Sequence, residues 1–568
     1  MSGLKRYGCV GLVALCLLLG QSRPRTTPVA GAGAGGDLTR IAFASRDELT
    51  FLAQQLDVWE VSDTPPDRAT RDQDAGGSVV AWVTPSEVAW LMERGFPVEL
   101  ITSPAVQPAA IPNAPCYRTI EELYAQLDLW ADTYPTLTRL VTIGHSYEGR
   151  PLLMLQLTRQ ESEPQQADGL AERPVLFLIA NIHGRELITP EVAMAFVDHL
   201  LKGYGHDPDA TWLLEHHRVE VLVSANPDGH VRNEAGVPWA YWRKNANPSY
   251  DDCFGTHFGV DLNRNSSFAW GAAGTHPCME TYQGPWAVSE HETEAIESLV
   301  QEMFPDRREA DEGAAAPEDV SGLFISLHSY GNLVLWPWGH TYAEAPNAVE
   351  LARLGERFAA ANGYVAKQAS LLYPASGTTD DFVYGELGVP AYTFEIGSSV
   401  DGFYPACERY EDLVRPNLDA LLYAAKVARA PYQLPAGPDA LHVVARGMSL
   451  DSQLALTITA QIDAGLVGTD VAITDAEVYY DVPPWEGGQP TPLPAVDGAF
   501  DSAVERVTGT LTVTSAGDLG VTSRPLVFVR GRDGSGAWGP VSAAFVDTTV
   551  TTTLYFPYVI RSPEVLSP

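Results

Sequence analysis

One apolar run, Val175-Leu176-Phe177-Leu178-Ile179-Ala180, ends abruptly in Asn181-Ile182-His183-Gly184-Arg185-Glu186. The run has no polar face, so it has to be covered on both sides, as a strand inside a parallel sheet is. Thr189 and Pro190 follow, and a helix is expected from Glu191 to Leu201. This order puts His183, Arg185 and Glu186 on the turn leaving the carboxyl end of a central strand, where open α/β sheets bind ligands. The chain is therefore constrained to a mixed α/β sheet with helices on both faces. His183 and Glu186, with two residues between them, can share one metal ion. That pattern arises often by chance and needs a third ligand from elsewhere.

A zinc site in a hydrolase takes three protein ligands and keeps one position open. Phe324-Ile325-Ser326-Leu327-His328 is a second apolar strand ending in a histidine, and His328 is the expected third ligand. Asp261, in Val260-Asp261-Leu262-Asn263-Arg264-Asn265, is the candidate carboxylate to fix a ligand histidine's tautomer. Glu395 ends Ala391-Tyr392-Thr393-Phe394 and precedes Ile396. A charge in such a run is costly to bury without a task, and Glu395 is the candidate general base.

The rest of the chain divides around this centre. Lys5 and Arg6 before the apolar run Val10 to Leu19 read as a secretion signal within residues 1–34, too short to span a bilayer. Residues 38–101 read as a βαββαβ, ferredoxin-like module, with Ser45-Arg46-Asp47-Glu48 and Thr84-Pro85-Ser86-Glu87 opening its helices. Residues 102–115 are a Pro- and Ala-rich linker, and 116–430 the central α/β domain. Short β-rich runs separated by Gly, Asp and Pro mark 440–550 as a β-sandwich of fibronectin or immunoglobulin type. Residues 551–568 form a tail. Beyond the signal, Cys116, Cys253, Cys278 and Cys407 admit three pairings. We favour Cys253–Cys278, a short loop worth roughly 3–4 kcal/mol, which leaves Cys116–Cys407. With 72 acidic against 36 basic residues, nucleic acid and anionic membranes are excluded as partners.

Taken in order, the segments Asn181 to Glu186, Asn226-Pro227-Asp228-Gly229, Trp242-Arg243-Lys244-Asn245, Asp261 to Asn265, His328-Ser329-Tyr330, Tyr373-Pro374-Ala375-Ser376-Gly377 and Phe394-Glu395 resemble the zinc carboxypeptidases of the A/B type. The resemblance implies one Zn²⁺ on His183, Glu186 and His328, with Glu395 as general base. It implies that Arg243 stabilises the oxyanion and that Arg264, Asn263 and Tyr373 hold the substrate's free carboxylate. Arg185 is expected further out, towards upstream subsites. Asp380 falls at the floor of the pocket for the terminal side chain, which implies preference for Lys or Arg; the alternative is that Asp380 or Asp381 caps a helix. Residues 38–101 resemble the family's inhibitory propeptide, and the Cys253–Cys278 pair matches a disulfide of the animal enzymes.

These expectations describe a secreted enzyme acting on peptide or protein carboxyl termini after an activating protease has cut it. The linker contains no Lys or Arg, so a trypsin-like protease is not the expected agent. Two rivals stand beside this reading: an amide hydrolase of murein peptides or acyl amino acids on the same scaffold, and an inactive surface-binding protein. The sandwich is open to a surface, a glycan or a protein as ligand.

Overall fold

The computed structural model describes residues 36–63, 76–101, 115–160, 173–236, 240–250, 258–308, 313–450, 453–468, 471–514 and 524–548. The secretion signal, nearly all of the 102–115 linker, Cys253 and the 551–568 tail lie outside the described residues. Among the described residues no helix is long and apolar enough to cross a membrane.

Residues 37–100 build a four-stranded sheet from β1 (Asp37–Phe43), β2 (Val58–Asp63), β3 (Gly77–Val83) and β4 (Val98–Leu100), in the order β2-β3-β1-β4. Helices Arg46–Gln55 and Pro85–Glu93 connect them. Their starts are fixed by side chains. Ser45 accepts the Glu48 N–H, and Thr84 with Glu87 forms a reciprocal capping box. Ile41, Leu49, Leu52, Val79, Ala81 and Leu91 form the small core.

The central sheet has eight strands: β5 (Thr138–His145), β6 (Pro151–Leu157), β7 (Val175–Ala180), β8 (Arg218–Leu222), β9 (Leu323–His328), β10 (Leu333–Trp336), β11 (Val365–Gln368) and β12 (Ala391–Glu395). Their order is β11-β10-β12-β9-β7-β8-β6-β5. The four central strands β12, β9, β7 and β8 run parallel. Every residue of β7 and β9 is buried, so helices cover both faces and no alternation of polar side chains is tolerated. Helices Ile188–Gly203 and Ala348–Asn362 both pack against helix Tyr410–Val427 on the sheet. The first of these begins three residues earlier than the sequence suggests. Pro190 then lies in the first turn, where its missing N–H leaves no helix bond unmade. A disulfide joins Cys116 to Cys407. Cys278 is also disulfide-bonded, and its expected partner Cys253 is one of the residues not described.

Residues 439–548 form a seven-stranded sheet: β13 (Asp439–Leu450), β14 (Gln453–Asp463), β15 (Ile473–Tyr480), β16 (Thr491–Pro492), β17 (Val504–Thr514), β18 (Leu526–Asp533) and β19 (Ser542–Thr548), ordered β16-β15-β18-β19-β13-β14-β17. Leu456, Ile458 and Ile462 of β14 share one core with Ile473 and Val478 of β15 and with Val527 and Val529 of β18. This unit is fused to the central domain. Trp485 packs against Trp212 and His217, and Phe528 joins the same aromatic cluster. Arg357, buried in helix Ala348–Asn362, donates to the Pro435 and Gly437 carbonyls and to Asp439. Breaking one half of a buried ion pair leaves the other uncompensated. Arg357→Leu is therefore expected to cost about 3–5 kcal/mol, read as a lower urea midpoint for the transition that includes the carboxyl-terminal unit.

Candidate active site

Three strand ends meet at one point. Asn181 to Glu186 leave β7, His328 ends β9, and Glu395 ends β12 beside His328 in register. Asn181 turns the chain with φ of 56°, a left-handed conformation that Asn tolerates. Its side chain donates to the His183 carbonyl and accepts from Ser224 and His230, which fixes the turn.

His183, Glu186 and His328 are all buried, with ligand-capable atoms within 4.8 Å of one another. His183 Nδ1 lies 2.7 Å from Glu186 Oε1 and 3.2 Å from His328 Nδ1. Glu186 Oε2 lies 3.2 Å from His328 Nδ1 without hydrogen-bond geometry. Two ring nitrogens and an orphaned carboxylate oxygen this close suit a shared cation. Tetrahedral zinc with Zn–N of about 2.0–2.1 Å separates its ligand atoms by roughly 3.3 Å. The three residues expected as metal ligands are thus brought together, and they fit zinc.

Asp261 lies behind them. Its Oδ1 is 3.2 Å from His183 Nε2, which leaves Nδ1 to face the other ligands, and its Oδ2 accepts from Nε and Nη2 of Arg243. Burial works against that charge, yet Arg243, Arg264 and His183 together hold Asp261 well below the usual carboxylate range. Burial and Arg243 lower His183, favouring the neutral ring a metal needs. Burial likewise opposes ionised Glu186, but His183 and His328 hold its carboxyl down. Glu395 differs. Burial, reinforced by Glu186, pushes it up to about 7, against the opposing pull of His328 and Arg243.

His183, Glu186, His328, Arg243 and Glu395 line a cavity of about 300 Å³ with Asn263, Arg264, Tyr373 and Asp380. Arg264 sits on a single turn, Leu262–Arg264, and donates to the Asn263 carbonyl. Asn263 Oδ1 accepts the Thr379 N–H, so the turn is tied to helix Thr379–Leu387. That helix is capped by Thr378, whose side chain accepts the Asp381 N–H. Asp381 is occupied by the Gly339 and His340 N–H groups. Asp380 lines the cavity, and burial with Asp381 nearby raises its carboxyl.

Several lining residues carry no signal in the sequence. Lys367 comes from β11, and Phe403 from the Ser398–Phe403 loop. Val58 to Val61 of β2 enter from the amino-terminal module. Asp57 binds Arg185 with both carboxylate oxygens, at 2.5 and 2.9 Å. Arg185 is thus held by the module, and Tyr373 packs against the module's core. Such pairings join residues more than a hundred positions apart and leave no trace in local spacing.

An α/β sheet with two histidines and a glutamate at its strand ends is the framework of a metallohydrolase. The family description "Zinc carboxypeptidase" matches residues 123–419, just over half of the chain. The chain belongs to the zinc carboxypeptidase family. It is 31% identical over 297 residues to carboxypeptidase A1 of Rattus norvegicus, covering 50% of this chain and 63% of that protein. It is 30% identical over 302 residues to the zinc carboxypeptidase of Saccharothrix mutabilis subsp. capreolus, covering 51% and 64%. The matched stretches thus span less than two thirds of these relatives. The solved carboxypeptidase A of Helicoverpa armigera is 25% identical with a TM-score of 0.54, covering 70% of this chain and 98% of that one.

Proposed function

We propose that this chain is a secreted zinc carboxypeptidase, kept latent by residues 38–101, that removes the last residue of peptides and proteins. The observation that carries the reading is the meeting of His183, Glu186 and His328 with Glu395 and Arg264 around one cavity. A zinc ion on the three ligands supplies Lewis-acid activation of water and of the scissile carbonyl. Glu395 takes the proton from the attacking water and returns it to the leaving amine; a carboxyl near neutrality can do both. Arg264, with Asn263 and Tyr373, grips the substrate's terminal carboxylate in its planar fork. Only a chain end presents that carboxylate, so only the last residue is cut. Arg243 presents Nη1 on the cavity side, 3.2 Å from His183 Nδ1, where it opposes charge developing on the carbonyl oxygen.

Latency follows from the module's position. Val58 to Val61 line the cavity, and Asp57 occupies Arg185, so a peptide cannot lie there until the module leaves. The agent is a protease that cuts outside basic residues, or the enzyme itself by autolysis.

Asp380 supports preference for terminal Lys or Arg, since a cation there recovers the cost of burying the carboxylate. Lys367 lines the same cavity and favours the competing choice, an acidic terminal residue. Hydrolysis of hippuryl-Arg, hippuryl-Phe and hippuryl-Glu by processed protein decides. The expected order has Arg first, and Asp380→Ser should lower the Arg-to-Phe ratio by ~10–100-fold. No hydrolysis of any of the three would sink the carboxypeptidase reading.

A further inference from the structure

We infer that the segment Asp57–Trp59 lies in the cleft as a substrate surrogate, and that the freed enzyme favours peptides carrying an acidic side chain opposite Arg185 and an aromatic side chain two residues away. The inference rests on the carboxypeptidase reading and narrows it to a substrate class, defined upstream of the bond that is cut.

Side chains two apart along an extended chain point to the same side. Asp57 and Trp59 do so, and the Trp59 indole N–H donates to Asp57 Oδ2 at 2.6 Å. Asp57 is 7% exposed and Arg185 2%. A buried ion pair gains little net stability, because desolvation offsets its attraction. Once the module departs, Arg185 is left facing the cleft over the Phe403 ring, 4.0 Å from its centroid, and its Nε has no hydrogen-bond partner among the described residues. A carboxylate brought by a substrate restores the lost two-point contact.

Trp59 sits edge-on to Phe403, with ring centroids 4.9 Å apart, and 5.8 Å from Tyr241. Those walls do not depend on the module. Tyr241 stacks on Tyr404 at 4.7 Å, and its N–H donates to the Tyr404 hydroxyl, which donates in turn to Asn233. Tyr241 holds φ of 65°, a backbone state rare outside Gly, Asn and Asp, sustained by these bonds. The slot is therefore prebuilt by the catalytic body, and an aromatic side chain entering it pays little ordering cost. Asp57 is bound to Arg185, the chain neighbour of the candidate ligand Glu186, whereas Trp59 reaches outward to the exposed Trp82. The acidic position is thus the nearer of the two to the reacting bond.

The test uses the full-length chain nicked inside residues 102–115, so that the module is held only by its contacts. Acetylated octapeptides ending in Arg carry Ala upstream, except for an acidic and an aromatic residue spaced two apart and moved together along the peptide. One register is expected to raise kcat/KM by ~10–100-fold over the all-Ala peptide, mainly through KM. Arg185→Gln should bring the acid-to-Ala ratio close to one. A second readout needs no catalysis: the matched peptide should displace the nicked module at ~10-fold lower concentration than the all-Ala peptide, and Asp57→Asn should loosen the module by a similar factor. A flat profile with equal displacement by both peptides overturns the inference and leaves the carboxypeptidase reading intact. Absence of hydrolysis with selective displacement overturns that reading and the substrate claim with it, and upholds only the preference of the Arg185 slot for an acidic side chain.

Discussion

Glu395→Gln is expected to lower kcat by about 10³-fold while leaving zinc content and the unfolding midpoint nearly unchanged. The substitution is isosteric and removes only the ability to exchange a proton. Glu395 is not among the three residues placed to hold the ion, so the metal should remain. The same change relieves a carboxyl that burial already pushes up to about 7, so it should not destabilise the fold. Single-turnover kinetics on hippuryl-Arg, with zinc measured by elemental analysis on the same sample, separates the effects. Activity within a few-fold of the parent would remove Glu395 from the proton path. Loss of zinc together with activity would make it a ligand instead.

The second large effect is predicted for Arg264→Ala. It is buried on the Leu262–Arg264 turn and lines the same cavity as the metal ligands. Removing a two-point, charge-assisted contact to a carboxylate should cost about 3–5 kcal/mol, or roughly 10²–10⁴-fold in kcat/KM. The effect should appear with substrates that end in a free carboxylate. For the same peptides capped as amides, parent and variant should be equally slow, because neither has a carboxylate to hold. If the variant loses no more on free acids than on amides, the clamp lies elsewhere. Arg243 is then the next candidate, since its Nη1 is the one guanidinium nitrogen not engaged by Asp261.

The three candidate ligands and Glu395 are legible in the sequence because they stand at, or just past, the ends of apolar strands. A histidine or glutamate that follows a fully buried strand is delivered to the sheet's carboxyl edge whatever the rest of the chain does. His183, Glu186, His328 and Glu395 share that property, and the structure brings them together. Asp261 was legible for a different reason, since a buried histidine ligand demands a partner for its other nitrogen. What escaped depends on three-dimensional juxtaposition. Asp57 ends no strand and belongs to no motif, yet it closes on Arg185. Lys367 lies on the edge strand β11, Val365-Ala366-Lys367-Gln368, whose lack of polar–apolar alternation gives no hint of which side faces the cavity. The role of Asp380 was ambiguous in the sequence because two adjacent aspartates follow two threonines. The structure gives the cap to Thr378 and the backbone contacts to Asp381, which leaves Asp380 at the cavity wall. The helix after Glu186 starts ahead of its sequence signal because Ile188 and Thr189 carry no conventional start residue and Leu187 stands before them without a side-chain cap.

The carboxyl-terminal unit docks at His217 and at Arg429, whose neighbour Ala428 accepts the Gly322 N–H; both adjoin the starts of β8 and β9, while the metal ligands lie at the other ends of the parallel strands. A parallel strand of this length spans about 20 Å. The two regions therefore look away from each other, and neither can fold over the other without tearing out Arg357 and Trp485. If the far end of the chain is tethered to any support, the mouth of the enzyme points outward from that support. Such an arrangement leaves loose chain ends in the surroundings within reach and keeps the support itself out of reach.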